Sequence, residues 1–202
     1  MRSFSRHNLI QSELQSLSLK NPNNWFERLF YKLYKNTDVD YILSVPTSTY
    51  LRAEAFCEDV RELSEIYFDQ SDLLSLLYDG FLHDVRQMDD VQKTYSFLMM
   101  TYDMYSQKVP VKILANSDER FHSYFMAAEE NNLASVQLEV SFTRKKALRG
   151  EILLADMDES FPEHPFTLEK ILEMLLYDFI EEYKKGNHKM AMRKIIDNLS
   201  DK

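Results

Sequence analysis

The chain has 202 residues, 45% of them apolar, and a net charge of −9, so it can bury a sizeable core and repels nucleic acid unless a local patch reverses the sign. Its three glycines cannot build the glycine-rich loops that bind nucleotide phosphates, and its single cysteine, Cys57, cannot form an internal disulfide, which favours a reducing compartment such as the cytoplasm. No run of about 18 apolar residues exists, so we expect no membrane span.

The N-terminal part of the chain predicts two helices and a strand. A short helix is favoured within residues 1–20 by the spacing of Leu9, Ile10, Leu14 and Leu17. A second helix is predicted over residues 25–36, where apolar residues recur every fourth position: Trp25, Leu29 and Leu33. Residues 41–46 predict a short strand that ends at Pro46.

Three further helices are predicted over residues 56–105, each with apolar residues three and four positions apart. The first carries Phe56, Val60, Leu63 and Tyr67. The second begins at an N-cap, Ser71, and carries Leu73, Leu74, Leu77, Phe81 and Val85. The third begins near Asp89 or Asp90 and carries Val91, Tyr95, Leu98, Tyr102 and Tyr105. Because the loops are short, we expect neighbouring helices to be antiparallel.

The second half of the chain alternates strand and helix patterns. A strand is predicted at 109–115 and a helix from Asn116. Residues 135–142 alternate apolar and polar side chains, and TRKKALRG is predicted to be a hairpin turn that leads to a partner strand at 151–157. A long helix, 167–185, is predicted to end at Gly186, followed by a short helix with Met192, Ile195, Ile196 and Leu199.

These elements predict an α+β protein without a visible internal repeat. Residues 1–107 form a helical N-terminal half of antiparallel helices, and residues 108–202 form a β-α-β-β-α-α half with a small, mainly antiparallel sheet. The two halves are either separate domains or one continuous domain.

The segment ILLADMDESF, residues 152–161, combines an apolar run with two aspartates separated by one residue. In this it resembles the first motif of haloacid-dehalogenase-like phosphatases. The resemblance implies that Asp156 is the nucleophile and Asp158 the acid/base, with Mg²⁺ nearby and Ser160 near the usual threonine. No later strand-end lysine and acidic pair follows Asp158, so we interpret the segment as the solvated end of a strand.

Other patterns typical of catalysis or metal binding are missing from the sequence. No two of the five histidines lie at i,i+3 or i,i+4, the spacing that holds zinc on a helix. Cys57 lies beside Glu58 and Asp59, whose charges raise a thiol pKa, so we expect it to be inert. Glu139 and Glu151 would face each other on an exposed face of the predicted hairpin. We therefore predict no cofactor, no metal site and no catalytic residue.

Two basic patches are the candidate partner-binding residues. The helix at 25–36 carries Trp25, Arg28, Lys32 and Lys35. It can pack into the core, dock in a partner's groove, or contact nucleic acid or an anionic membrane. The predicted hairpin tip carries Arg144, Lys145, Lys146 and Arg149. These cations can reach phosphates, or they form a solvated loop.

An acidic stretch covers residues 52–90, with eleven Asp and Glu residues against three arginines. It can attract a basic partner, or it is a solvated surface. The helix that follows carries more methionine and tyrosine than one face can bury, and some of these side chains could lie at a homodimer contact: Met99, Met100 and Met104.

The leading hypothesis is a non-catalytic binding or regulatory protein that acts through contacts with another protein. It would use the acidic helical half, the helix at 25–36, or both. The alternative is a nucleic-acid-binding protein that uses the helix at 25–36 and the residues at 144–149. A third hypothesis is a metal-dependent phosphatase or nuclease at Asp156 and Asp158.

Overall fold

The computed structural model describes residues 2–18, 37–88, 90–108 and 135–187, together with residue 195. The predicted helix with Trp25, Arg28, Lys32 and Lys35 lies outside the described residues, as do the strand predicted at 109–115 and the helix predicted from Asn116. Of the last predicted helix, Ile195 is described, and its backbone is helical.

The described residues form six α-helices and two β-strands. Their bounds are α1 Leu9–Ser18, β1 Asp38–Pro46, α2 Thr47–Ser64, α3 Gln70–Met88, α4 Val91–Lys108, β2 Ser135–Thr143, α5 Arg144–Ser160 and α6 Leu168–Glu182. The segment that follows α6, Tyr183–Asn187, contains a kink at Gly186. The α+β class is confirmed, whereas the division at 107/108 stays a prediction. Among these residues no helix is both long and apolar enough to cross a membrane.

The two strands pair with each other in antiparallel register, Asp38 opposite Thr143 and Pro46 opposite Ser135. Side chains alternate along both strands, so one face of the sheet is buried and the other is exposed. The buried face consists of Tyr41, Leu43, Val45, Leu138, Val140 and Phe142. The predicted alternation of β2 is confirmed, but its partner is β1, some 90 residues earlier in the chain.

The predicted hairpin is wrong, because residues 144–160 form one helix, α5. Its buried positions recur at the helical spacing of three and four residues: Ala147, Gly150, Glu151, Leu154 and Met157. The apolar run at 152–155 is short enough to suit either a strand or a helix, and helical packing decides the outcome. The predicted β-α-β-β-α-α order is therefore wrong at its third strand.

The structure contains two similar strand–helix–helix units that the sequence does not reveal, β1-α2-α3 and β2-α5-α6. Each strand has nine residues and passes into its helix without a loop. The junction residues adopt nearly the same backbone angles, φ −55° and ψ 134° at Pro46, and φ −58° and ψ 135° at Thr143. The two units thus share the same order of elements and the same strand-to-helix junction, and their strands pair with each other.

The second helix of each unit meets the strand of the other unit. On the β2 side, the Ser141 backbone N–H donates to Ser71 Oγ of α3 at 3.4 Å. On the β1 side, the Ser44 backbone N–H donates to Glu173 Oε1 of α6 at 2.8 Å. Each strand of this sheet therefore donates a backbone hydrogen bond to a side chain of a helix.

Side-chain caps fix where the helices begin. Asp69, not Ser71, caps α3, since Asp69 Oδ1 accepts from the backbone N–H groups of Ser71 and Asp72 at 2.9 and 3.0 Å. Thr167 Oγ1 caps α6 by accepting from the Lys170 backbone N–H at 3.2 Å. Helix α6 lies centrally and contacts β1 and helices α2 to α5.

Candidate functional site

The four cations of the predicted hairpin tip lie in the first two turns of α5. Arg144 is buried, with its Nε 3.3 Å from Glu13 Oε1 on α1. Lys146 Nζ lies 2.7 Å from Asp79 Oδ2 on α3. The prediction that these cations protrude at a hairpin tip is therefore wrong, because Arg144 and Lys146 form ion pairs with other helices of the protein. The two that stay exposed are Lys145 and Arg149. The role of all four in partner binding stays a prediction.

Asp156 and Asp158 lie on α5 and not at the end of a strand. Asp158 accepts from Arg2 Nη1 at 2.8 Å and from the Glu163 backbone N–H at 3.2 Å, so it holds the N-terminal segment against the loop after α5. Asp156 is exposed, and partial burial together with Glu159 raises the pKa of its carboxyl. The phosphatase hypothesis required both aspartates to follow a strand, and the structure contradicts that requirement because both lie in a helix.

Glu151 is fully buried, whereas the sequence placed it on an exposed sheet face. Its carboxylate accepts hydrogen bonds from the Ser5 hydroxyl and from the Ile10 backbone N–H, the latter at 3.0 Å. Satisfying both donors with one buried carboxylate fastens the start of α1 to α5. No sequence pattern indicates this role, because it depends on α5 being a helix and on α1 lying next to it.

Cys57 is fully buried on α2, and burial, with Glu54 next in importance, raises the pKa of its thiol to about 12. The direction of this pKa shift agrees with the prediction, but its causes differ, because burial comes first and the charges that add to it are Glu54, Asp69 and Asp72 rather than Glu58 and Asp59. In the described parts of the chain, no group of three or more His, Cys, Asp and Glu side chains is arranged to hold a metal ion.

A groove of about 850 Å³ lies between α3 and α6, with one side chain of α4 in its wall. Its apolar lining consists of Leu76, Leu77, Phe81, Val85, Met88, Phe97, Leu175, Phe179 and Ile195. All of these except Phe81 and Ile195 are half-buried, so they remain accessible. A groove of this size lies within the range of roughly 300–1,000 Å³ that is typical of ligand sites.

The charged side chains among the described lining residues are both carboxylates, Asp84 on α3 and Asp178 on α6. Asp84 is exposed at the rim. Asp178 is half-buried, and burial first and Glu182 second raise the pKa of its carboxyl. A carboxylate whose charged form is disfavoured in this way gains from a cation placed beside it. The groove therefore combines an apolar lining with two carboxylates among its described residues.

Gly80 opens the groove at the middle of α3. Among the described residues, a Cβ atom at this position would meet no heavy atom within 4 Å. The neighbouring turns of α3 instead pack tightly, with Leu73, Leu74 and Tyr78 fully buried. Gly80 thus leaves a gap in the helix surface where a side chain would otherwise fill the groove.

The chain matches no protein-family model, no curated protein sequence and no solved structure. What the groove can bind follows from its shape, its lining and its charges.

The predicted apolar stripe of α3 contributes two residues to the groove. Leu77 and Val85 are half-buried, and each packs against the core while it lines the groove. A signal was present, since the apolar residues of α3 extend to Leu76, beyond the stripe that one packing face needs. An excess of this kind indicates an apolar surface left for a further contact.

Proposed function

We propose that this protein is a non-catalytic binding protein that holds a basic, amphipathic helix of a partner protein in the groove between α3 and α6. The observation that carries the proposal is the pairing of an accessible apolar lining with Asp84 and Asp178. A helix with apolar residues on one face and Lys or Arg beside them complements both features.

The size and shape of the groove support a helix rather than a small polar ligand. The lining runs along α3 from Leu76 to Met88, more than three helical turns, which is about 18 Å at 1.5 Å per residue. Apolar side chains spaced three and four residues apart on a docked helix would meet successive turns of α3 and α6. The two carboxylates would then set the orientation of the bound helix by pairing with its cations.

A direct test uses a fluorescein-labelled helical peptide of Leu and Lys, with the Leu residues on one face, titrated against the full-length protein and followed by anisotropy. A Gly80→Trp chain fills the groove and should bind at least about tenfold more weakly, a loss of roughly 1.4 kcal/mol. Gly80→Ala is the matched control, since it adds only a methyl group at the same position, and it should bind like the wild type.

Charge is tested separately from shape. Asp84→Lys should weaken binding of the Leu/Lys peptide and strengthen binding of a Leu/Glu peptide of the same pattern. The titration is repeated with an Ile195→Asp chain, because Ile195 takes up part of the groove. The proposal fails if neither the wild type nor Ile195→Asp binds the Leu/Lys peptide saturably, or if Gly80→Trp binds it as well as Gly80→Ala does.

A further inference from the structure

The groove already contains one residue from the C-terminal end of the chain. Ile195 has a helical backbone, is 8% exposed and belongs to the buried apolar cluster of the protein. It lines the groove with residues of α3 and α6. The chain reaches it after Gly186, whose φ of +92° breaks the helical path beyond α6.

The sequence around Ile195 combines apolar residues with cations, and the groove combines an apolar lining with carboxylates. Its apolar residues follow the helical spacing i, i+3, i+4, i+7: Met192, Ile195, Ile196 and Leu199. Cations lie among them, namely Lys189, Arg193 and Lys194. This is the pattern of a basic, amphipathic helix, matched to a lining whose charged groups are Asp84 and Asp178.

We propose that the C-terminal segment, residues 188–202, is the protein's own occupant of the groove and competes there with the partner helix. This inference rests on the proposed function and adds its regulation. A segment joined to the groove by only a few residues acts at a high effective concentration, so a partner must displace it to bind. The apparent affinity for a partner is then lower than that of the open groove by the fraction of time that the groove is free.

Photo-crosslinking in the full-length protein tests where the segment lies. Benzoylphenylalanine replaces Gln87, an exposed residue at the groove rim, and irradiation is followed by proteolysis and mass spectrometry. We expect cross-links to the fragment that contains residues 188–202, and a yield at least twofold lower when the Leu/Lys peptide is in excess. The control replaces Ile152 on α5, a helix that contributes no described residue to the groove, and should give no cross-link to this fragment.

Ile195→Asp tests the competition. The full-length variant, with its fold checked by circular dichroism, should bind the Leu/Lys peptide at least fivefold more tightly than the wild type. Equal affinity, or cross-linking at Gln87 that does not reach residues 188–202, would overturn the inference and leave the proposed function standing if Gly80→Trp still blocks the peptide. Failure of the peptide to bind either chain would overturn the proposed function and the regulatory role with it.

Discussion

The hydroxyl oxygen of Tyr78 lies so close to Gly150 that a Cβ atom at position 150 would stand 2.1 Å from it. The same hydroxyl donates to the Lys146 carbonyl at 3.2 Å, so the side chain is held in place against α5. A Cβ atom would also lie 2.8 Å from Leu168 Cδ1. This close approach joins α3 to α5, and only a glycine allows it.

Gly150→Ala should therefore destabilise the fold by about 2–3 kcal/mol, although alanine is the better helix former. The free energy of unfolding is measured by urea denaturation. A Tyr78→Phe background removes the oxygen that would clash, so the cost of Gly150→Ala should fall there by about 1 kcal/mol or more. An equal cost in both backgrounds would show that the Tyr78 hydroxyl is not what excludes a side chain at 150.

The segment around Gly150 also shows why sequence patterns failed here. The sequence has Gly150 between a basic stretch and a short apolar run, which is typical of a turn followed by a strand. In the structure this glycine serves close packing between helices, a purpose that depends on Tyr78, some 70 residues away. By contrast, α3 and α4 carry long, regular spacings that are set locally, and they begin close to the predicted positions. The helix predicted to carry Phe56 to Tyr67 exists as α2, but it begins earlier, at Thr47, and ends at Ser64, so Tyr67 lies beyond it and Leu63 is exposed.

Arg144 and Lys145 are neighbours in sequence with opposite surroundings, and replacing each by alanine should separate their roles. Arg144 is buried and paired with Glu13, so Arg144→Ala removes an ion pair between α5 and α1 and should cost about 3 kcal/mol. Lys145 is exposed, and Lys145→Ala should stay within about 0.5 kcal/mol of the wild type. Urea denaturation gives both values, and amide hydrogen exchange of α1 should rise only in Arg144→Ala. Similar losses in the two variants would contradict an anchoring role for Arg144.

Stability should decline at alkaline pH because the folded chain holds protons that the unfolded chain releases. Burial raises the pKa of Cys57 from 9.0 to about 12, and it also raises the pKa of Tyr41, Tyr78 and Tyr105. Their contribution is fully present below about pH 9 and is lost as the pH rises toward the folded pKa values, with a slope of up to about 1.4 kcal/mol per pH unit for each group.

Urea denaturation at pH 8, 9 and 10 checks this pH dependence. Between pH 9 and 10 the slope depends mainly on Cys57, whose ordinary pKa is the lowest of the four. A Cys57→Ala chain should therefore show a flatter decline over this interval, whatever its stability at pH 8. A wild-type chain equally stable at pH 8 and 10 would show that these groups are not shielded from solvent in the folded state.

Helical spacing alone does not predict the groove. Spacing identifies the apolar face of α3 and of α6, yet it cannot show whether another element covers that face or leaves it open. The pairing of β1 with β2 was hidden for a similar reason, because it joins segments far apart in the chain and no local pattern selects the partner. Both features arise from tertiary packing.

Gly80→Ala should stabilise the protein by about 0.5–1 kcal/mol, the difference in helix propensity between the two residues. The gain requires that the new methyl group contacts no other atom, and no heavy atom of the described part of the chain lies within 4 Å of a Cβ atom at position 80. The comparison with Gly150→Ala is informative, since the same substitution in two helices should change the free energy of unfolding in opposite directions. A Gly80→Ala chain that unfolds at lower urea concentration than the wild type would mean that a group lies within reach of the new methyl group, which would contradict the space found beside Gly80 among the described residues.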